Sequence, residues 1–433
     1  VLTATASASN KTYDGSTTAA TTLTFTGLIG SETLGQTVGS TFDNKNVGSN
    51  KTITVNSITL ADGSGLAANY SISAGQTTTA NITAKSLTVS GITASNKTYD
   101  GNGVATLDAS SVAYSGLVSG DTFNGSYTGA FSDKNVDSGK TVTITSSYTG
   151  ADVGNYSVTD QSTTTANITA KALTVSGITS SNKTYDATTS ASLNTGSVSY
   201  GGLVSGDNLT GTYGGVFNNA NVGSGKTVTI TSSYSGADVN NYTITDQAST
   251  TADVIAKALT ATASASNKVY DGSSTATSTL SLSGFIGSET VTSTNSSTFN
   301  NKNVGTNKTV TVNSITLADG SNGGLASNYS ISTGQTTAAN VTAKALTVSG
   351  ITASNKTYDG GTNATTTLSF SGFIGSETIN NINSSTFDNK NIGTAKAVTV
   401  NSITLVDGNN GGLASNYSIS SGQTTTADVS VKQ

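Results

Sequence analysis

The 433-residue chain has no cysteine, histidine, proline, methionine or tryptophan, and all 19 of its basic residues are lysines, so arginine is missing too. Each absence removes a kind of chemistry. Without histidine no side chain titrates near neutrality at its ordinary pKa, and acid–base catalysis would fall to a strongly shifted carboxylate or lysine. Without cysteine and histidine there is no thiol nucleophile and no zinc, haem or iron–sulfur centre of the usual kinds, which leaves oxygen-ligated Ca²⁺ or Mg²⁺. A Ser-His-Asp triad is excluded and a Ser-Lys dyad has no distinguishing context, so the expectation is no enzyme and no resident cofactor. A net charge of −5 and a pI near 4.7 disfavour nucleic acid and anionic membranes as partners. No apolar run approaches the ~18 to 20 residues that cross a bilayer, so no membrane insertion by this segment is expected. Without a methionine or a charged-then-apolar leader, the sequence reads as a processed or excised piece of something longer.

What is there is threonine and serine, 147 residues together, with 48 glycines, 34% hydrophobic residues and only 10% charged ones. Thr, Val and Ile favour strands. The dominant feature is an internal repeat. Lys-x-Tyr-Asp recurs at Lys11/Tyr13/Asp14, Lys97/Tyr99/Asp100, Lys183/Tyr185/Asp186, Lys268/Tyr270/Asp271 and Lys356/Tyr358/Asp359, with Tyr-to-Tyr steps of 86, 86, 85 and 88. Three other landmarks keep the same period. They are an acid (Glu32, Asp121, Asp207, Glu289, Glu377), a Phe-led loop (Phe42, Phe131, Phe217, Phe299, Phe387) and an Asn-Tyr pair ending at Tyr70, Tyr156, Tyr242, Tyr329 and Tyr417. The period predicts five modules, at residues 1–85, 86–171, 172–257, 258–344 and 345–433. Modules one, four and five share one subtype of sequence, and two and three another.

Within a module, period-2 alternation such as Ile53/Val55 and Ala80/Ile82/Ala84 predicts strands with one buried face and one covered in Thr and Ser. The fold class expected is all-β, a tandem array of five small immunoglobulin-like β-sandwiches. The alternative is a β-grasp-like module with one short helical turn, placed at Gly27 to Leu34. The connections, such as Asn81 to Val89, keep strand character and carry no proline or glycine. The last strand of one module should therefore run almost directly into the first of the next, giving an elongated, stiff rod.

Three groups of residues are candidate sites. The Tyr-Asp element and the Asn-Tyr pair read as structural repeat motifs, with tyrosine in the core and Asp14 and its counterparts closing a side-chain-to-backbone turn, or else as Tyr-bearing contact loops. The oxygen-rich loop Asp43-Asn44-Lys45-Asn46 is the candidate Ca²⁺ site, although the third module replaces it with Asn218-Asn219-Ala220-Asn221, which has no acid. Lys11, Glu32 and Asn69 supply the ingredients of an intramolecular Lys-Asn isopeptide bond promoted by an acid, and the set recurs in every module.

The strings Ser-Asn-Lys-Thr-Tyr-Asp-Gly at Ser9 to Gly15 and Ser95 to Gly101, Gly-Leu-Val-Ser-Gly-Asp at Gly116 to Asp121, and Asn-Tyr-Ser-Ile at Asn69 to Ile72 resemble the YDG and related MBG-type repeats of large bacterial surface adhesins, including filamentous-haemagglutinin-like exoproteins. The third module departs from the pattern with Asp186-Ala187. The resemblance implies export to the cell surface or medium, a stalk or matrix role in adhesion and biofilm, and no catalytic residues. The partners expected are flanking repeats of the same longer chain, copies of the chain itself, and surface or matrix glycans. Three functional readings result: a non-enzymatic stalk, a self-assembling extracellular filament pairing through edge strands at Leu2 to Ala6 and Ala427 to Val431, and a glycan- or protein-binding array.

Overall fold

The computed structural model describes all of residues 1–433. It is all-β, and its helical pieces are three-residue 3₁₀ turns at Ala67–Asn69, Val153–Asn155, Val239–Asn241, Ala326–Asn328 and Ala414–Asn416. The second module shows the plan. One sheet has the order Val104–Ala105, Asn124–Phe131, Asp137–Thr149, Thr163–Thr169, Lys97–Thr98, antiparallel except for the last pair, in which Lys97 lies beside Ile168 in parallel. The other sheet places Lys85–Ser90 between Ala113–Ser115, antiparallel, and Tyr156–Thr159, parallel. In the first module the Thr-Ile-Thr-Val alternation does what period 2 requires, with Ile53 and Val55 fully buried and the threonines between them exposed.

The first strand of a module separates the two subtypes. It is continuous at Thr3–Ala8, Thr260–Ala265 and Thr347–Ala353, each paired along its length with the strand that follows. In the second module it breaks at Gly91, whose φ of +86° lies in the left-handed region and where an added Cβ would sit 2.2 Å from the Ser111 carbonyl oxygen. The two-sheet sandwich agrees with the sequence reading. The β-grasp alternative does not, because no α-helix packs on either sheet. The helical turn expected at Gly27 to Leu34 is a plain turn closed by the Glu32 N–H on the Ile29 carbonyl at 3.2 Å, and Leu34 already opens a strand. The 3₁₀ turn falls instead just before the Asn-Tyr pair, where Ala67–Asn69 is followed by extended Tyr70.

The chain parts into two compact units: Val1–Ile178 with Thr195–Tyr213 and Thr231–Ala248, and Thr179–Asn194 with Gly214–Ile230 and Ser249–Gln433. The third module contributes to both. In the first unit the core joins Tyr13, Phe42, Ile53 and Ile82 of the first module to Leu87, Val89, Ile92, Phe123 and Tyr156 of the second. In the second unit Tyr185, Phe217, Val228 and Val254 join Leu259, Val291 and Tyr329, and Tyr270, Phe299, Val310 and Val341 join Leu346, Ile379 and Tyr417. The physical core is thus offset by about half a repeat from the sequence module. The connection explains why: only Ala84 separates Thr77–Thr83 from Lys85–Ser90, so consecutive modules meet with no room for solvent between their apolar ends. Each fully buried Leu, Ile or Val in such a core stabilises by roughly 1.5–3 kcal/mol.

Candidate functional site: the junctions between modules

The Tyr-Asp-Gly element is placed by a short strand. Lys11–Thr12 runs parallel to Thr77–Thr83, and the Tyr13 N–H donates to the Thr83 carbonyl at 2.9 Å. Asp14 Oδ1 then accepts from the Ser16 N–H at 2.8 Å and from Lys11 Nζ at 2.7 Å, closing the turn. Gly15 follows with φ +80°, and a Cβ there would lie 2.8 Å from Val118 of the next module. Tyr13 is left 1% exposed, its ring directed into the core shared with that module.

Its hydroxyl donates to Asp121 Oδ2 at 2.8 Å, and Tyr156 donates to the same oxygen at 2.5 Å. The Val118 N–H in turn donates to the Tyr156 hydroxyl at 2.9 Å. Lys45 Nζ bridges Asp121 Oδ1 at 3.0 Å and Asp152 Oδ1 at 2.9 Å, and lies 5.9 Å from the centroid of the Tyr13 ring. The two tyrosine rings meet edge to face at 5.5 Å. Beside them is a second fastening: the Val47 N–H donates to Asn155 Oδ1 at 2.9 Å, and Asn155 Nδ2 donates to Asn46 Oδ1 at 3.2 Å. Asn155 is 4% exposed and comes from the 3₁₀ turn, which aims its amide backwards at the preceding module.

The arrangement recurs at each later boundary. Tyr99 and Tyr242 share Asp207, Tyr185 and Tyr329 share Glu289, and Tyr270 and Tyr417 share Glu377. The asparagine clasp recurs with Asn241, Asn328 and Asn416. Electrostatics follow from the partners. Burial works to raise the pKa of Asp121, but the hydrogen bonds from Tyr156, Lys45 and Tyr13 outweigh it and hold the carboxyl below its usual value; Asp207 and Glu377 behave alike. Burial first, and then the carboxylate, push the Tyr156, Tyr242 and Tyr417 hydroxyls up to about 12.

The remaining candidates fall as follows. Asp14, Asp100, Asp186, Asp271 and Asp359 each pair with the lysine three residues earlier and are exposed. The isopeptide set is not brought together. Lys11 is taken up by Asp14, Ser16 and the Thr18 carbonyl, Glu32 by the Tyr70 hydroxyl, and Asn69 lies exposed on the 3₁₀ turn, so nucleophile, acid and amide face different partners. In the oxygen-rich loop, Asp43 Oδ1 and Asn44 Oδ1 face Lys51 Nζ at 2.9 Å and 2.7 Å, an ammonium where the sequence suggested a divalent ion. Sequence reasoning missed the role of Lys45, Lys134 and Lys302, of Asn46 and its counterparts, and of Val118. One signal was available: the lysine is missing only from the third module, where Ala220 stands in its place.

Comparison with known proteins agrees with the repeat. The YDG domain matches residues 1–80, 83–166, 169–252, 255–338 and 342–427, and the chain belongs to that family as five tandem copies. No curated protein matches it. Among solved structures the chain is similar to Drosophila N-cadherin EC1-4, at 10% identity over 79% of this chain and 99% of that one, with a TM-score of 0.20, a level from which no common fold follows.

Proposed function

We propose that this chain is a non-enzymatic, length-giving segment of an exported bacterial surface adhesin or matrix protein, in which tandem YDG modules hold a binding element away from the cell. The observation that carries the proposal is the junction. The Tyr-Asp-Gly tyrosine and the acid that receives it belong to different modules, and both lie in a core continuous across the boundary. Modules joined by a shared core cannot swing freely, which is what a spacer requires and a string of independent binding domains does not. The same burial removes Tyr13, Tyr99, Tyr185 and Tyr270 from any role as surface contact loops. The lack of cysteine suits a bacterial exoprotein that crosses a pore unfolded, and the Thr- and Ser-covered outer faces suit an aqueous, crowded exterior.

Small-angle X-ray scattering on the chain and on variants lacking one or two whole modules tests this. A spacer gives a maximum dimension that shortens by a constant step per module removed. A compact particle, or saturable binding to a glycan array by the repeats themselves, would overturn it.

A further inference from the structure

The first and fifth modules each show, uncovered, one half of the junction. At the far end of the fifth, Tyr358 is half-buried where Tyr13, Tyr99, Tyr185 and Tyr270 are buried; Lys390 and Asn391 are exposed, and Ile392 is 55% exposed. These residues line a shallow cavity with Val431 and Lys432. At the near end of the first module, Ile29 is 72% exposed and Asn69 is exposed, whereas Asn328 and Asn416 in the equivalent position are fully buried.

The two halves match in detail. Tyr70 donates to Glu32 Oε2, and the Ile29 N–H donates to the Tyr70 hydroxyl at 3.0 Å. At the fourth junction Tyr417 likewise occupies Glu377 Oε2, and Glu377 Oε1 receives Tyr270 at 2.8 Å and Lys302 at 3.0 Å. Glu32 thus keeps open the oxygen that at the fourth junction takes the incoming tyrosine and lysine. The fifth module carries Tyr358 and Lys390 at those positions. Asn391 and Ile392 are likewise ready for the Asn69 clasp, and Gly360 has nothing within 4 Å of an added Cβ, leaving the space that Val118 fills beside Gly15.

From this complementarity we infer that the chain self-associates head to tail, the Tyr358 face of one copy docking on the Glu32–Tyr70 face of a second copy and reproducing the internal junction without a covalent link. This replaces edge-strand pairing as the route to a filament. The interface is heterologous, so it does not close and growth is open-ended. The covalent link that supplies the internal junctions with a high effective concentration is absent, so assembly depends on protein concentration.

The test is sedimentation velocity with light scattering over a concentration series of the full chain and two variants, Tyr358→Ala and Glu32→Ala, each checked for an unchanged far-ultraviolet spectrum. Wild type is expected to move from 43.0 kDa to a ladder of larger species as concentration rises. Each variant alone stays at 43.0 kDa, and mixing the two gives one species of twice that mass, because each retains the half the other lacks. Wild type that stays monomeric throughout, variants that assemble like wild type, or a mixture that gives no dimer would each overturn the inference. The spacer function fails separately, by a compact monomer in scattering.

Discussion

The second junction, in the first compact unit, and the third, in the second unit, solve the same problem with different parts. At the second, Tyr99 and Tyr242 both donate to Asp207 Oδ2, and Lys134 ties Asp207 to Asp238 at 3.1 Å and 3.0 Å. At the third, Ala220 replaces the lysine, and Glu289 gives one oxygen to Tyr185 at 2.8 Å and the other to Tyr329 at 2.7 Å. Everything else coincides. The rings meet edge to face at 5.6 Å in both, and the clasp hydrogen bond from Val136 to Asn241 and from Val222 to Asn328 is 2.9 Å in both. The lysine is therefore accessory, and two phenols on one carboxylate with an asparagine clasp suffice to build the boundary. The extra methylene of glutamate lets its two oxygens serve one tyrosine each, where aspartate stacks both on a single oxygen.

The largest effect should come from removing the shared acceptor. Asp207→Ala and Glu289→Ala each strand two buried phenols, at roughly 1–3 kcal/mol for each donor left unsatisfied. Native-state hydrogen exchange should show faster opening of Lys171–Ser176 in the first variant and of Lys257–Ala258 in the second. Equal losses would confirm that the lysine adds little. Unchanged exchange after either substitution would mean that apolar packing alone holds the boundary.

Acid acts less severely at each site, because a protonated carboxyl still accepts, but it acts at several junctions together. Asp121, Asp207 and Glu377 have lowered folded-state pKa values, so the unfolded chain binds more protons as pH falls. Their contribution is complete above the unfolded values of about 4 and is lost as pH drops through the lower folded ones. At the alkaline end the sign reverses. Tyr156, Tyr242 and Tyr417 are raised to about 12, so their contribution is complete below about 10 and lost as pH climbs toward 12. Urea midpoints should be flat between about pH 5 and 9 and fall on both sides. A maximum near pH 4 would contradict the assignment of these carboxylates as charged acceptors.

Much of the fold was legible because alternation and repeat period act locally. Ile53 and Val55 had to share a face, and the strand bounded by Thr77 and Thr83 had to lead into the next module. The site was half legible. Tyr13, Asp121 and Tyr156 were all singled out, yet Tyr13 was grouped with Glu32 and Tyr70 of its own module. A perfect repeat makes a residue and its equivalent one period on indistinguishable, so spacing cannot say whether a tyrosine meets the acid of its own module or of the next. Only the direction in which Gly15 turns the chain settles that, and backbone direction is not written in a period. The isopeptide reading failed for the same reason: its three residues share a module but look toward different neighbours.

The third junction also departs at the turn. Ala187, with φ +62°, stands where Gly15, Gly101, Gly272 and Gly360 take φ between +77° and +82°. A side chain in the left-handed region costs about 1–2 kcal/mol, part of which a glycine returns through its greater freedom in the unfolded chain. Ala187→Gly should therefore raise the local opening energy at the third junction by up to about 1 kcal/mol. Gly101→Ala should lower that of the second by more, since its new Cβ would lie 2.7 Å from Val204 Cγ1. A destabilising Ala187→Gly would show that the third boundary has repacked around the methyl group.

The smallest effect is the one that tests the accessory role of the lysine directly. Lys134 is partly exposed, at 39% of its side-chain surface, so its attraction to Asp207 and Asp238 is shared with water and screened by salt. Lys134→Ala should lower the opening energy of the second junction slightly, and Ala220→Lys should raise that of the third slightly by giving Glu289 the cation it lacks. Both changes should shrink toward zero in molar salt, whereas the losses from Asp207→Ala and Glu289→Ala should persist, because buried phenols gain nothing from mobile ions. If Ala220→Lys instead stabilises as much at high salt as at low, the gain comes from the lysine stem packing over the Tyr185 ring. The difference between the two boundaries would then be one of covered apolar surface and not of charge.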